Sequence, residues 1–110
     1  MKMLTSRILI SVFLLFMLSA TAVQAGGDPV RGKEIGEWCA ECHGEDGLGD
    51  EEFPAIAGMS EDEIFKALMA FKTGERVDEF EDMVENVEDL NEQDMADLAA
   101  YFATMPGPEE

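Results

Sequence analysis

Apolar residues recur along this chain at helical spacing, and no stretch alternates apolar and polar positions for long enough to form a strand. Beyond an apolar leader treated below, the first helix is expected to open at Asp28, whose carboxylate suits the free N–H groups of a first turn. Pro29 follows at the position where a missing N–H costs nothing. The helix should run to about Cys42, with Gly44 beyond its end. Gly32 and Gly36 lie one turn apart on one face, which lowers helix propensity but admits the backbone of a crossing helix. Ser60 and Glu63 have the spacing of a reciprocal cap, and Ile64, Phe65, Leu68 and Phe71 then repeat at helical intervals before Gly74 stops a second helix. Phe80, Met83, Val84, Val87 and Leu90 form a third stripe, read as a short helix preceded by a loop. The last helix opens at Asn91, places Met95, Leu98, Ala99 and Phe102 on one face, and is ended by Pro106. Its small residues Ala96, Ala99 and Ala100 suit the glycine face of the first helix.

These elements give an all-α domain of three or four short helices. Between the first two lies an irregular stretch from Gly44 to Met59, rich in glycine and containing Pro54. At 110 residues the chain has room for one domain with a thin core of its own side chains, and loops this long call for a ligand to wrap.

The N-terminal segment changes what counts as the domain. Lys2 and Arg7 precede an uncharged apolar stretch from Ile8 to Leu18, and small residues lead to Val23-Gln24-Ala25, the pattern of a secretory signal cleaved after Ala25. That assigns residues 1–25 to the signal and 26–110 to the domain. The alternative is a retained membrane anchor, with the apolar stretch extended to about Val23; a spanning helix wants about 20 apolar residues, and Gly26-Gly27-Asp28 follows directly. Losing Lys2 and Arg7 takes the net charge from −18 to −20. Such a field excludes nonspecific binding to nucleic acid or anionic lipid and favours a partner with a basic docking surface. It also serves as a solvating surface at high salt.

The chemistry sits at Cys39-Ala40-Glu41-Cys42-His43, the C-x-x-C-H signature of covalent haem attachment. Two thiols at this spacing reach the two vinyl groups on one porphyrin edge, and the adjacent imidazole binds the iron from the proximal side. A thioredoxin-type redox pair would need a βαβ context that is missing here. A structural zinc site needs four ligands, one more than two cysteines and the only histidine supply. A plain disulfide across two intervening residues would make a tight ring.

With no second histidine, the opposite axial position falls to methionine, lysine, water or nothing. The candidate sulfurs beyond the leader are Met59, Met69, Met83, Met95 and Met105. Met69 and Met95 sit in apolar stripes where methionine usually fills core, Met59 is close to His43 in sequence, and Met105 adjoins Pro106. Met83 follows a polar arm from Thr73 to Glu79 that can cross to the distal face, yet it also fits the Phe80 to Leu90 stripe as core.

From Asp28 to about Met105 the chain resembles the class I cytochromes c. Cys39 to Gly44 followed by Asp46-Gly47 is similar to the family's haem loop, and Phe53-Pro54-Ala55-Ile56-Ala57-Gly58 to the proline-containing loop after it. The resemblance implies the cytochrome c fold around one covalent haem c and makes the Pro54 carbonyl the acceptor for the proximal imidazole of His43. Phe71 to Arg76 and Met95 to Phe102 resemble small bacterial cytochromes of the two-haem type and the haem subunit of flavocytochrome c sulfide dehydrogenase. That likeness favours Met83 as the second axial ligand. Where the family often has small or basic residues near this methionine, Glu81, Asp82, Glu85 and Glu88 stand here.

The implied function is single-electron transfer by a periplasmic, non-enzymatic carrier with a His/Met-ligated haem, its iron cycling between two states. Trp38, Ile56, Phe65, Leu68, Phe71 and Leu98 are expected to shield the ring. Its partners would be redox proteins. Two alternatives remain: a haem subunit paired with a flavoprotein in a sulfide dehydrogenase-type complex, and a gas-binding haem sensor.

Overall fold

The computed structural model describes residues 26–109, so the expected signal segment lies outside the described residues. Four helices follow one another: α1 (Pro29–His43), α2 (Glu61–Thr73), α3 (Asp82–Val87) and α4 (Glu92–Phe102), with no strand among the described residues. The all-α expectation and the caps read from sequence hold. Asp28 accepts from the N–H groups of Val30 and Arg31. Ser60 and Glu63, and likewise Asn91 and Asp94, cap reciprocally. Gly74 ends α2 in the left-handed region at φ 79°.

Helix α1 lies across α4, α4 packs on α2, and α2 packs on α3. The glycine face of α1 makes the first of these crossings. A Cβ on Gly32 would sit 1.9 Å from the Asp97 carbonyl oxygen, and one on Gly36 would press on Leu98 and Phe102. The surface that receives Gly32 and Gly36 is thus the backbone of Asp97 with the flanks of Leu98, Tyr101 and Phe102, while Gly27, just before α1, meets the backbone of Ala96.

A buried polar knot fixes the same crossing. The Asp97 side chain accepts from the Asp28 backbone N–H at 2.7 Å, from Arg31 Nη1 at 2.7 Å and from Gln93 Nε2 at 2.8 Å. The second arm of Arg31 reaches Asp94 at 2.6 Å. Because a buried carboxylate is costly unless its lone pairs are used, this set of donors is what lets Asp97 sit at 1% exposure. Both acids are held below the usual carboxylate range: Asp97 chiefly by the Asp28 N–H and then by Arg31 and Gln93, Asp94 by the Asn91 N–H and then Arg31.

The core is a single cluster of Ile64, Leu68 and Phe71 from α2, Val87 from α3, and Met95, Leu98, Ala99 and Phe102 from α4. Helix α1 adds only the flanks of Ile35 and Cys39. The third stripe is shorter than its pattern predicted. Glu81 adopts φ 60°, a left-handed conformation that breaks helical register between Phe80 and α3, and Phe80 is 71% exposed.

Replacing Gly32 with alanine should cost about 2 to 3 kcal/mol, because backbone rather than a flexible side chain blocks the added methyl; thermal unfolding measures it. The stability difference between wild type and Asp97→Asn should be large at pH 7 and shrink as pH falls below about 4. A carboxylate with a depressed folded value stabilises above its unfolded value and loses that contribution on protonation. Unfolding midpoints across that pH range, followed by circular dichroism, test it.

Candidate functional site

The last turn of α1 carries the chemistry. Cys39, Cys42 and His43 are spaced so that all three side chains leave one side of the helix end. Cys39 is half-buried against the core, Cys42 is exposed, and the two thiols are unpaired. Burial pushes the Cys39 thiol up from its ordinary value, which keeps it neutral. His43 closes the helix and is 7% exposed. Its Nδ1 donates to the Pro54 carbonyl oxygen at 2.8 Å. A carbonyl can only accept, so Nδ1 holds a proton, and the lone pair of the neutral ring is then on Nε2.

Pro54 reaches that position because the loop after α1 folds back on itself. Gly44, Gly47 and Gly49 all take positive φ, and Gly49 N–H donates to the His43 carbonyl at 2.7 Å. The Gly47 carbonyl accepts from Ile56 and Ala57. Asp50 closes the turn leading into Pro54: its carboxylate accepts from Glu52 and Phe53 N–H groups, both at 2.8 Å. Those two bonds, Phe53 first, hold Asp50 below the usual carboxylate range. Gly49 has no room for a side chain, since a Cβ would lie 2.2 Å from the Phe53 carbonyl oxygen. The Phe53 ring meets His43 edge-on at 6.4 Å between centroids.

The methionines separate by position. Met95 is 1% exposed inside the core, and the Met105 sulfur lies against Gly47. Met59, Met69 and Met83 are half-buried beside the core. Met83 stands in the first turn of α3, where its backbone N–H donates to Asp78 Oδ1 at 3.1 Å. Helix α3 has no side-chain cap of its own and follows directly on the left-handed Glu81.

Trp38, on α1, is 67% exposed, and its indole N–H donates to Asn86 Oδ1 on α3 at 2.7 Å. Nothing in the periodicity of the sequence pairs these two residues. The Arg31–Asp97 knot was equally hidden there.

Among the described residues no three His, Cys, Asp or Glu side chains gather in a group that could hold a metal ion. Two free thiols on one helical turn, an imidazole engaged through Nδ1 and soft thioethers at the core edge fit a porphyrin and its iron. Fold and site together define a protein that attaches haem covalently.

Comparison with known proteins makes this specific. Residues 29–106 match the cytochrome c family model, and the chain belongs to the cytochrome c family. It is 36% identical over 89 residues to cytochrome c-554(547) of Halothiobacillus neapolitanus, covering 72% of this chain and 98% of that protein. It is 35% identical over 100 residues to cytochrome c4 of Pseudomonas aeruginosa, covering 90% of this chain and 48% of that one. The fold superposes on the cytochrome c4 of Acidithiobacillus ferrooxidans with a TM-score of 0.65 at 30% identity, covering 76% of this chain and 52% of that one. A thiosulfate dehydrogenase (TsdBA) from Marichromatium purpuratum gives 0.69 at 31%, covering 76% of this chain and 20% of that one. The chain thus spans about half the length of the cytochromes c4 that it matches. It is an electron-transfer haem protein with one covalently bound haem c.

Glu81→Gly should raise stability by about 0.5 to 1 kcal/mol, because the left-handed conformation costs a side chain about 1 to 2 kcal/mol and glycine returns part of that as chain entropy. Glu81→Ile should lower it. Urea unfolding of the two variants checks both signs.

Proposed function

We propose that this chain is a periplasmic single-electron carrier whose haem c is tethered through Cys39 and Cys42 and ligated by His43 and Met83. The observation that carries the reading is the 2.8 Å bond from His43 Nδ1 to the Pro54 carbonyl, because it leaves Nε2 of the chain's only histidine free to bind iron. Bound haem c supplies an iron that changes by one electron between ferrous and ferric states.

The chain's own residues set the terms of that change. The Pro54 carbonyl makes the imidazole a stronger donor and fixes its plane. The neutral thioether of Met83 would help hold the iron and, as a soft ligand, would favour the ferrous form. Ile56, Phe65, Leu68, Phe71 and Leu98 keep water from the ring, which opposes the extra charge of the ferric state. With His43 and Met83 both holding the iron, dioxygen and other gases would be kept from it.

The signal segment, cleaved after Ala25, would deliver the chain to the periplasm; among the described residues no helix is long and apolar enough to cross a membrane. Its partners are redox proteins that meet it through a basic docking surface, as the excess of 25 acids over 7 Lys and Arg favours. A second reading, as the haem subunit of a dehydrogenase, gains support from the likeness to the thiosulfate dehydrogenase structure. A flavoprotein partner of the sulfide dehydrogenase type belongs to that reading, and it would co-purify and bring flavin absorbance with it.

Met83→Leu should abolish the long-wavelength sulfur-to-iron band of the ferric protein, lower the reduction potential and let the ferrous protein bind carbon monoxide quickly and completely. Wild type should bind the gas slowly and little. Rapid, complete binding by wild type would favour the gas-sensor alternative, and colourless protein from a host that matures c-type cytochromes would end the whole reading.

A further inference from the structure

The peptide bond between Asp82 and Met83 is held at both of its polar atoms. Its carbonyl oxygen accepts from Asn86 Nδ2 at 2.7 Å, and its N–H donates to Asp78 Oδ1 at 3.1 Å. The other end of the same Asn86 amide is engaged too, since Oδ1 accepts from Trp38 Nε1 at 2.7 Å. Trp38 immediately precedes Cys39, so a chain of two hydrogen bonds runs from the thiol-bearing turn of α1 to the backbone that aims Met83.

Little else joins these two elements. Helix α3 is six residues long, without a side-chain cap and preceded by a left-handed residue, so it has little stability of its own. It packs on α2, and Lys72 of α2 bonds the Glu88 carbonyl at its far end. No helix packing joins α3 to α1 among the described elements. The Trp38–Asn86 bond is therefore the tie between the two sides of the molecule that must face each other across a haem.

We propose that Trp38 is a positioning residue for Met83, acting through Asn86: it keeps α3 seated so that the thioether stays on the iron. This rests on ligation by Met83. The indole suits the task because it donates one hydrogen bond from a rigid ring and has no acceptor to compete. Asn86 suits it because its amide accepts at one end while donating at the other.

The test uses the mature haem protein and compares wild type with Trp38→Phe, Asn86→Leu, the pair together, Met83→Leu, and Ser60→Ala as a variant weakened at the cap of α2. Two signals are followed: the rate at which ferrous protein binds carbon monoxide, and the temperature at which the ferric sulfur-to-iron band is lost relative to the helical signal. Trp38→Phe and Asn86→Leu should each speed carbon monoxide binding roughly fivefold, the worth of one neutral hydrogen bond of about 1 kcal/mol at 1.4 kcal/mol per tenfold. The double variant should be no faster than the quicker single, because both act through one contact. Their band should melt ahead of the helices, whereas in Ser60→Ala band and helices should melt together and carbon monoxide binding should keep its wild-type rate.

Wild-type rates in both singles, additive effects in the double, or a band that melts only with the helices would overturn the proposal while leaving Met83 as ligand. If wild type lacks the band, or Met83→Leu retains it, ligation by Met83 fails and the proposal falls with it. Should Trp38→Phe fail to take up haem, Asn86→Leu, which leaves the neighbour of Cys39 intact, decides the matter alone.

Discussion

At Gly32 the backbone of α1 touches that of α4 so closely that a single methyl group would collide with the Asp97 carbonyl. The orientation of α1 depends on this contact, and with it the direction in which Cys39, Cys42 and His43 leave the helix end. A thin core gives the crossing limited help, since α1 contributes almost no buried side chain to the apolar cluster. The burden shifts to the polar knot, where one buried carboxylate collects the first N–H of α1, a guanidinium and an amide. Shape and charge thus fix the same pair of helices by independent means.

From that fixed end the loop returns along a path set by backbone hydrogen bonds rather than by apolar packing. Three glycines with positive φ and the Asp50 turn bring the Pro54 carbonyl to His43, and the imidazole is oriented before any ligand is considered. Helix α3, which carries Met83, is built differently: it is short and uncapped, and besides its packing on α2 it is met by side chains reaching in from α1 and from the preceding loop.

Much of this was legible from residues alone, for local reasons. Caps and stops act within one turn, so Asp28, Ser60 with Glu63, Gly74 and Asn91 announced three of the four helices nearly to the residue. The attachment motif is contiguous, and the Gly32–Gly36 face foretold a crossing helix. What escaped depends on tertiary neighbours. The Phe80 to Leu90 stripe could not reveal that Glu81 turns left-handed and breaks the register, because no glycine or asparagine marks the break. The pairing of Trp38 with Asn86 spans 48 positions, and that of Arg31 with Asp97 spans 66. No periodicity carries information over such separations. The place of Pro54 came from likeness to a family rather than from spacing, and the geometry agrees with it.

The solitary imidazole has a consequence for how the chain regains its shape after denaturation. Once haem is tethered, an unfolded chain can trap itself by offering the iron the wrong nitrogen base, and such traps slow refolding. Here His43 is the only histidine, and it adjoins the tether itself. The strongest wrong-base competitor is therefore missing, and the search is left to methionine sulfurs and lysine amines, of which the latter are protonated near neutrality.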